Sequence, residues 1–137
     1  MNQNLSMPHK KEIVVKEWMD FAKEDLDTAG LILNGDYLYN RSICYHCQQA
    51  AEKYLKAYIL FSDLPIIKTH NIALLCEQIQ DIDKDILQIY DTASELTQYI
   101  TAARYPDDFE KLCDEDSREA YKISFKVAEF VISKIRF

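Results

Sequence analysis

The chain has 137 residues, 28% charged and 48% hydrophobic, with a formal net charge of −7. That length suits one domain with its own core, and the acidic balance argues against tight, sequence-blind nucleic-acid binding through charge alone. Two glycines and three prolines are too few for the turns of a β-protein, so a few long helices are expected.

Residues 1–14 read as an N-terminal extension to a single helical domain spanning 15–137. The opening MNQNLSMPHKKE lacks the apolar stretch of a signal peptide. No apolar run in the chain is long enough to span a membrane. The expectation is a soluble cytoplasmic protein with no membrane contact, whose cysteines stay reduced.

From about Val15 to Leu33, the residues Val15, Met19, Ala22, Leu26, Ala29 and Leu33 recur at steps of four and three, the spacing of one helical face. Gly35 suits a C-terminal cap and Asp36 the next N-cap. A second helix is expected over roughly Tyr37 to Phe61. Its seam is Ile43, Cys47, Ala50, Tyr54, Ala57 and Phe61, which predicts an antiparallel hairpin with the first helix.

Pro65 marks a connection, and a shorter helix follows with Ile72, Leu75, Cys76 and Ile79 inward, capped by Asn71 or Thr69. Asp81 or Asp83 is placed to cap a fourth helix that buries Ile86, Tyr90, Ala93, Leu96 and Ile100. Arg104-Tyr105-Pro106-Asp107-Asp108 reads as a loop, because proline restrains its predecessor and cannot continue a helix. Asp114 or Asp116 starts a last helix carried by Ala120, Ile123, Val127, Phe130 and Val131. The predicted class is all-α: an up-and-down antiparallel bundle of four long helices plus one short helix.

Cys44 and Cys47 form a lone C-x2-C with His46 between them, and no second pair completes a structural zinc set. Cys47 lies on the apolar seam, so the pair reads as small buried hydrophobes, with no metal and no cofactor expected. Charge is uneven along the chain. Residues 77–116 carry twelve Asp/Glu against three Lys/Arg, while Lys122 to Phe137 carries four basic groups and one Glu.

The run His46-Cys47-Gln48-Gln49-Ala50-Ala51-Glu52-Lys53-Tyr54-Leu55-Lys56-Ala57 resembles the hQQAAEKxLKA signature of the HEPN family (higher eukaryote and prokaryote nucleotide-binding domains). Asp25-Leu26 with Ala29, Thr69-His70-Asn71-Ile72, and Arg104-Tyr105-Pro106-Asp107 match further landmarks in the family's order, so the likeness covers about residues 16–135. The resemblance implies a helical bundle, commonly a homodimer. It also implies a module often paired with a minimal nucleotidyltransferase in toxin–antitoxin-type systems. Some members are metal-independent ribonucleases with an Arg-x4-6-His motif, and others are binding or scaffold domains.

Arg41 and His46 have that spacing. A histidine can move the 2′-hydroxyl proton and an arginine can stabilise phosphoryl charge, with no metal required. Ser42 stands where catalytic members usually carry Asn, Asp or His. Five residues of ideal helix also turn the two side chains roughly 140° apart. His46, Gln49, Lys53 and Lys56 form a polar ridge beside the seam, suited to hydrogen-bonding a base and holding phosphates. The competing reading makes Glu52 and Lys56 an ordinary surface i,i+4 pair.

His70, Arg104 and Tyr105 are the remaining candidates for a nucleotide or RNA, with Arg104 equally suited to a structural clamp on Glu52 or an Asp. These residues favour a nucleotide- or RNA-binding homodimer partnered by a nucleotidyltransferase. The alternatives are an endoribonuclease toxin using Arg41 and His46, and a non-catalytic interaction scaffold.

Overall fold

The computed structural model describes residues 7–100 and 111–137. Among the described residues there are helices and connections and no strand. The helices are α1 (Met7–Leu33), α2 (Asn40–Phe61), α3 (Ile72–Gln80), α4 (Tyr90–Ser94) and α5 (Asp114–Lys134). Short 3₁₀ segments, Lys84–Gln88 and Glu95–Thr97, flank α4. The all-α bundle expected from the sequence is what the chain forms.

Three differences separate expectation and structure. First, α1 is already helical at Met7, the first described residue, ahead of the apolar pattern. Residues His9 to Glu12 are polar or charged and offer nothing that a hydrophobic period could register. They are tied down by Lys11, whose Nζ donates to Phe61 O at 3.2 Å and to Asp63 Oδ1 at 3.1 Å. Asp63 has φ 61°, a left-handed conformation that Asp tolerates better than most residues.

Second, Asp36 caps nothing. The N-cap of α2 is Tyr39, without a side-chain bond, and Tyr37 and Tyr39 pack their rings 4.8 Å apart in the turn. Third, the stretch expected to be a fourth long helix is helical but broken. Ile89, at φ −119° and ψ 0°, separates the first 3₁₀ segment from α4. Hydroxyls then reach back to the backbone, Thr92 to Ile89 O and Ser94 to Tyr90 O, the local competition that bends helices. Tyr99, rather than Ile100, is the residue buried at its end. The expected loop at Arg104–Asp108 lies outside the described residues.

Other expectations hold. Asn71 caps α3 by accepting from Leu74 N, and Asp83 caps the first 3₁₀ segment by accepting from Asp85 N. At the start of α5, Asp116 accepts from Cys113 N at 2.8 Å.

Side-chain ties set the directions. Lys11 meets Phe61 while Asp25 meets His46 and Lys53, so α1 and α2 run antiparallel. Asn40 meets Ser117, Cys47 O meets Ser124, and Phe61 meets Phe137. Helices α2 and α5 therefore run parallel. The stretch 84–100 must then climb back between them, which it does: Asp83 and Asp85 lie beside Lys134.

Helix α2 is the axis of the molecule. Ile43, Cys44, Cys47, Ala50, Ala51, Tyr54, Leu55, Ala57, Tyr58 and Ile59 are all in the core, against α1 on one side, α5 on a second and α3 on a third. Full burial of each large apolar side chain contributes about 1.5–3 kcal/mol. The small residues of the seam allow the close approach that such central placement needs.

Candidate functional site on the central helix

Because α2 is surrounded, most of its polar residues must be satisfied inside the chain. Two carboxylates do this. Glu52 is the hub of the first cluster. Its Oε2 accepts from Lys56 Nζ at 2.9 Å, and its Oε1 accepts from Gln48 Nε2 at 3.2 Å and pairs with His70 Nδ1 at 2.9 Å. Gln48 Nε2 also donates to His70 O at 3.1 Å, and Gln49 Nε2 donates to Gln48 Oε1 at 2.8 Å. The cluster thus pins the end of the 62–71 connection onto α2. Burial pushes the Glu52 carboxyl up, but the hydrogen bonds from Lys56, His70 and Gln48 and the Lys56 charge outweigh it, so the group sits below its ordinary value.

Asp25 of α1 is the hub of the second. Its Oδ1 pairs with His46 Nδ1 at 2.9 Å, and its Oδ2 accepts from Lys53 Nζ. Asp25 is mostly covered, while His46 and Lys53 remain about a third and a quarter exposed at their side chains. The His46 ring meets the edge of Tyr45 at 6.0 Å. With Nδ1 facing Asp25, Nε2 of the ring is directed away from that carboxylate.

The structure treats the sequence candidates differently. His46, Gln49 and Lys53 share a half-covered edge of α2, as the ridge reading requires. Lys56 does not belong to an outward ridge: it is 7% exposed, sealed with Glu52 and lying 6.0 Å from the Trp18 ring. The Glu52–Lys56 pair exists, but it is a buried pair and not a surface one. His70 is exposed and joined to Glu52.

Arg41 is an exposed residue in the first turn of α2. Helix α2 is continuous from Asn40 to Phe61, so Arg41 and His46 point in directions roughly 140° apart. Arg104 and Tyr105 lie outside the described residues.

Cys44 and Cys47 are fully buried, as the packing reading holds. Burial pushes the Cys44 thiol up to about 12 and the Cys47 thiol higher still, away from the thiolate that a metal or an electrophile would need. Among the described residues, no group of three His, Cys, Asp or Glu stands close enough to hold a metal ion.

Sequence reasoning missed the two hubs as organisers. Asp25 carries a readable signal, a carboxylate immediately before the buried Leu26 on the flank of an apolar face. Gln48 carries little: its 0% exposure follows from α3 and the His70 connection closing over α2, which no local pattern encodes.

An all-helical bundle wrapped around a QQAAEK helix defines the class. The HEPN domain family model matches residues 15–136 of this chain. The chain belongs to the HEPN domain family. Among solved structures it is similar to ST0689, an archaeal HEPN homologue, with a TM-score of 0.71 and 25% identity over 89% of this chain and 98% of that one. It is also similar to TT1696 from Thermus thermophilus, with a TM-score of 0.72 and 26% identity over 88% of this chain and 98% of the other. Comparison with curated proteins gives no match. No helix among the described residues is long and apolar enough to cross a membrane.

Proposed function

We propose that this chain is a HEPN module that binds nucleotide or RNA without turning it over, acting in the cytoplasm as a homodimer beside a nucleotidyltransferase in a toxin–antitoxin-type pair. The observation that carries this reading over catalysis is the unbroken helix beneath Arg41 and His46. An acid–base histidine and a phosphate-stabilising arginine must reach one phosphodiester, and a continuous α2 turns them apart within the chain. The edge formed by His46, Gln49 and Lys53 offers hydrogen-bonding groups without a catalytic pair.

One observation favours the second reading, a metal-independent endoribonuclease. Asp25 holds His46 by Nδ1, which orients the ring and leaves Nε2 to take a proton. The test is RNA cleavage in EDTA by purified wild type and His46→Ala. The binding reading expects no cleavage by either protein, together with stabilisation of the wild type by nucleotide or RNA in a thermal melt. Cleavage that disappears in the variant would establish the enzyme.

A further inference from the structure

One flank of α1 borders the open edge of α2. Trp18 of α1 lies against Lys56, and Asp25 of α1 holds His46 and Lys53. Phe21 falls three residues after Trp18 and four before Asp25, so helical geometry places it between them on the same flank. Yet its ring is not part of the core. Phe21 is 56% exposed, on the flank of α1 whose Asp25 reaches His46 and Lys53 of α2. Val14, two turns earlier on the same flank, is also exposed.

Charge decides what such a face can recognise. Lys53 is matched by Asp25 and Lys56 is matched and sealed by Glu52. The lysines of this stretch therefore carry little uncompensated charge toward a phosphate. What remains is a flat aromatic ring, the Gln49 amide and the outward nitrogen of His46. These groups suit the face and edges of a heterocyclic base. We infer that this face reads a nucleobase, with Phe21 as the stacking plane, Gln49 and His46 bonding the base edge, and the phosphate left in solvent. The inference rests on the nucleotide-binding reading above and adds to it which part of the ligand is recognised.

The test uses thermal melts and calorimetric titrations of the full chain with the four ribonucleosides, their 5′-monophosphates, ribose 5-phosphate and a single-stranded RNA of mixed sequence. At least one nucleoside is expected to bind within about threefold of its monophosphate, and ribose 5-phosphate not at all. Phe21→Ala should weaken that binding roughly tenfold or more, as loss of one stacking partner does, while Phe21→Tyr retains it. Because Phe21 is exposed, both variants keep the wild-type melting temperature without ligand.

Nucleoside binding unchanged in Phe21→Ala overturns the inference and leaves the nucleotide-binding reading standing. Binding by ribose 5-phosphate as strong as by nucleotide does the same, as does a Phe21→Ala variant whose only change is its oligomeric state. A wild type that binds no nucleoside, nucleotide or single-stranded RNA overturns both.

Discussion

Replacing Glu52 with glutamine would leave the Lys56 ammonium almost sealed with no counter-charge. Removing one partner of a buried pair costs about 3–5 kcal/mol, and the loss should appear as a lower urea midpoint for Glu52→Gln. The double variant Glu52→Gln/Lys56→Met should recover much of it, because no buried charge is then left alone. Acid should act through the same group. The Glu52 carboxyl lies below its ordinary 4.5 in the folded chain. Its contribution is therefore complete above that unfolded value and is lost as pH falls through the lower folded value. The gap in midpoint between wild type and Glu52→Gln should be present at about pH 5 and close as pH falls below 4.5. At this scale the sequence showed which residues sit beside the seam, and it could not show that Glu52 and Lys56 face one another under a roof. An i,i+4 spacing is identical on a wet surface and in a sealed cleft. Only the placement of Trp18 and His70, distant in sequence, distinguishes them.

Helices were legible where an apolar period ran long, and their ends were legible where a side chain caps them. Asn71 is such a case, and Asn71→Ala should lower stability by about 1 kcal/mol, measured by chemical denaturation. The start of α1 and the breaks around α4 were not legible. Charged turns carry no apolar period, and the hydroxyls of Thr92 and Ser94 bend a segment whose buried residues still repeat helically. Contact between elements adds another constraint. A Cβ on Gly30 would stand 3.1 Å from Tyr121 Oη and 3.3 Å from its ring, so α1 and α5 meet closely there. Gly30→Val should cost about 1–3 kcal/mol through overpacking, and Gly30→Val with Tyr121→Ala should cost less than the sum of the two single changes.

The path of the whole chain depends on ties between distant segments. Tyr58 donates to Asp83 Oδ2 at 2.6 Å, and Lys134 bridges Asp83 and Asp85, which joins the lower ends of α2 and α5 to the start of the 84–100 stretch. Tyr58→Phe should lower stability by about 1 kcal/mol, and thermal melts of the single variant and of Tyr58→Phe/Lys134→Met would show the coupling. Net acidity and matched lysines also bear on any RNA complex. The slope of log affinity against log salt should stay below that of about three phosphate contacts, in titrations between about 50 and 200 mM salt. Helix α2 touches every other long element, and Gln48, Ala51, Glu52, Leu55 and Lys56 of its signature are all enclosed. The letters QQAAEKYLKA therefore act as assembly instructions for a central rod. Finding them in another chain would announce a common way of closing a bundle, and would say nothing about a common cargo, which must be sought in neighbours such as Phe21 that folding leaves uncommitted.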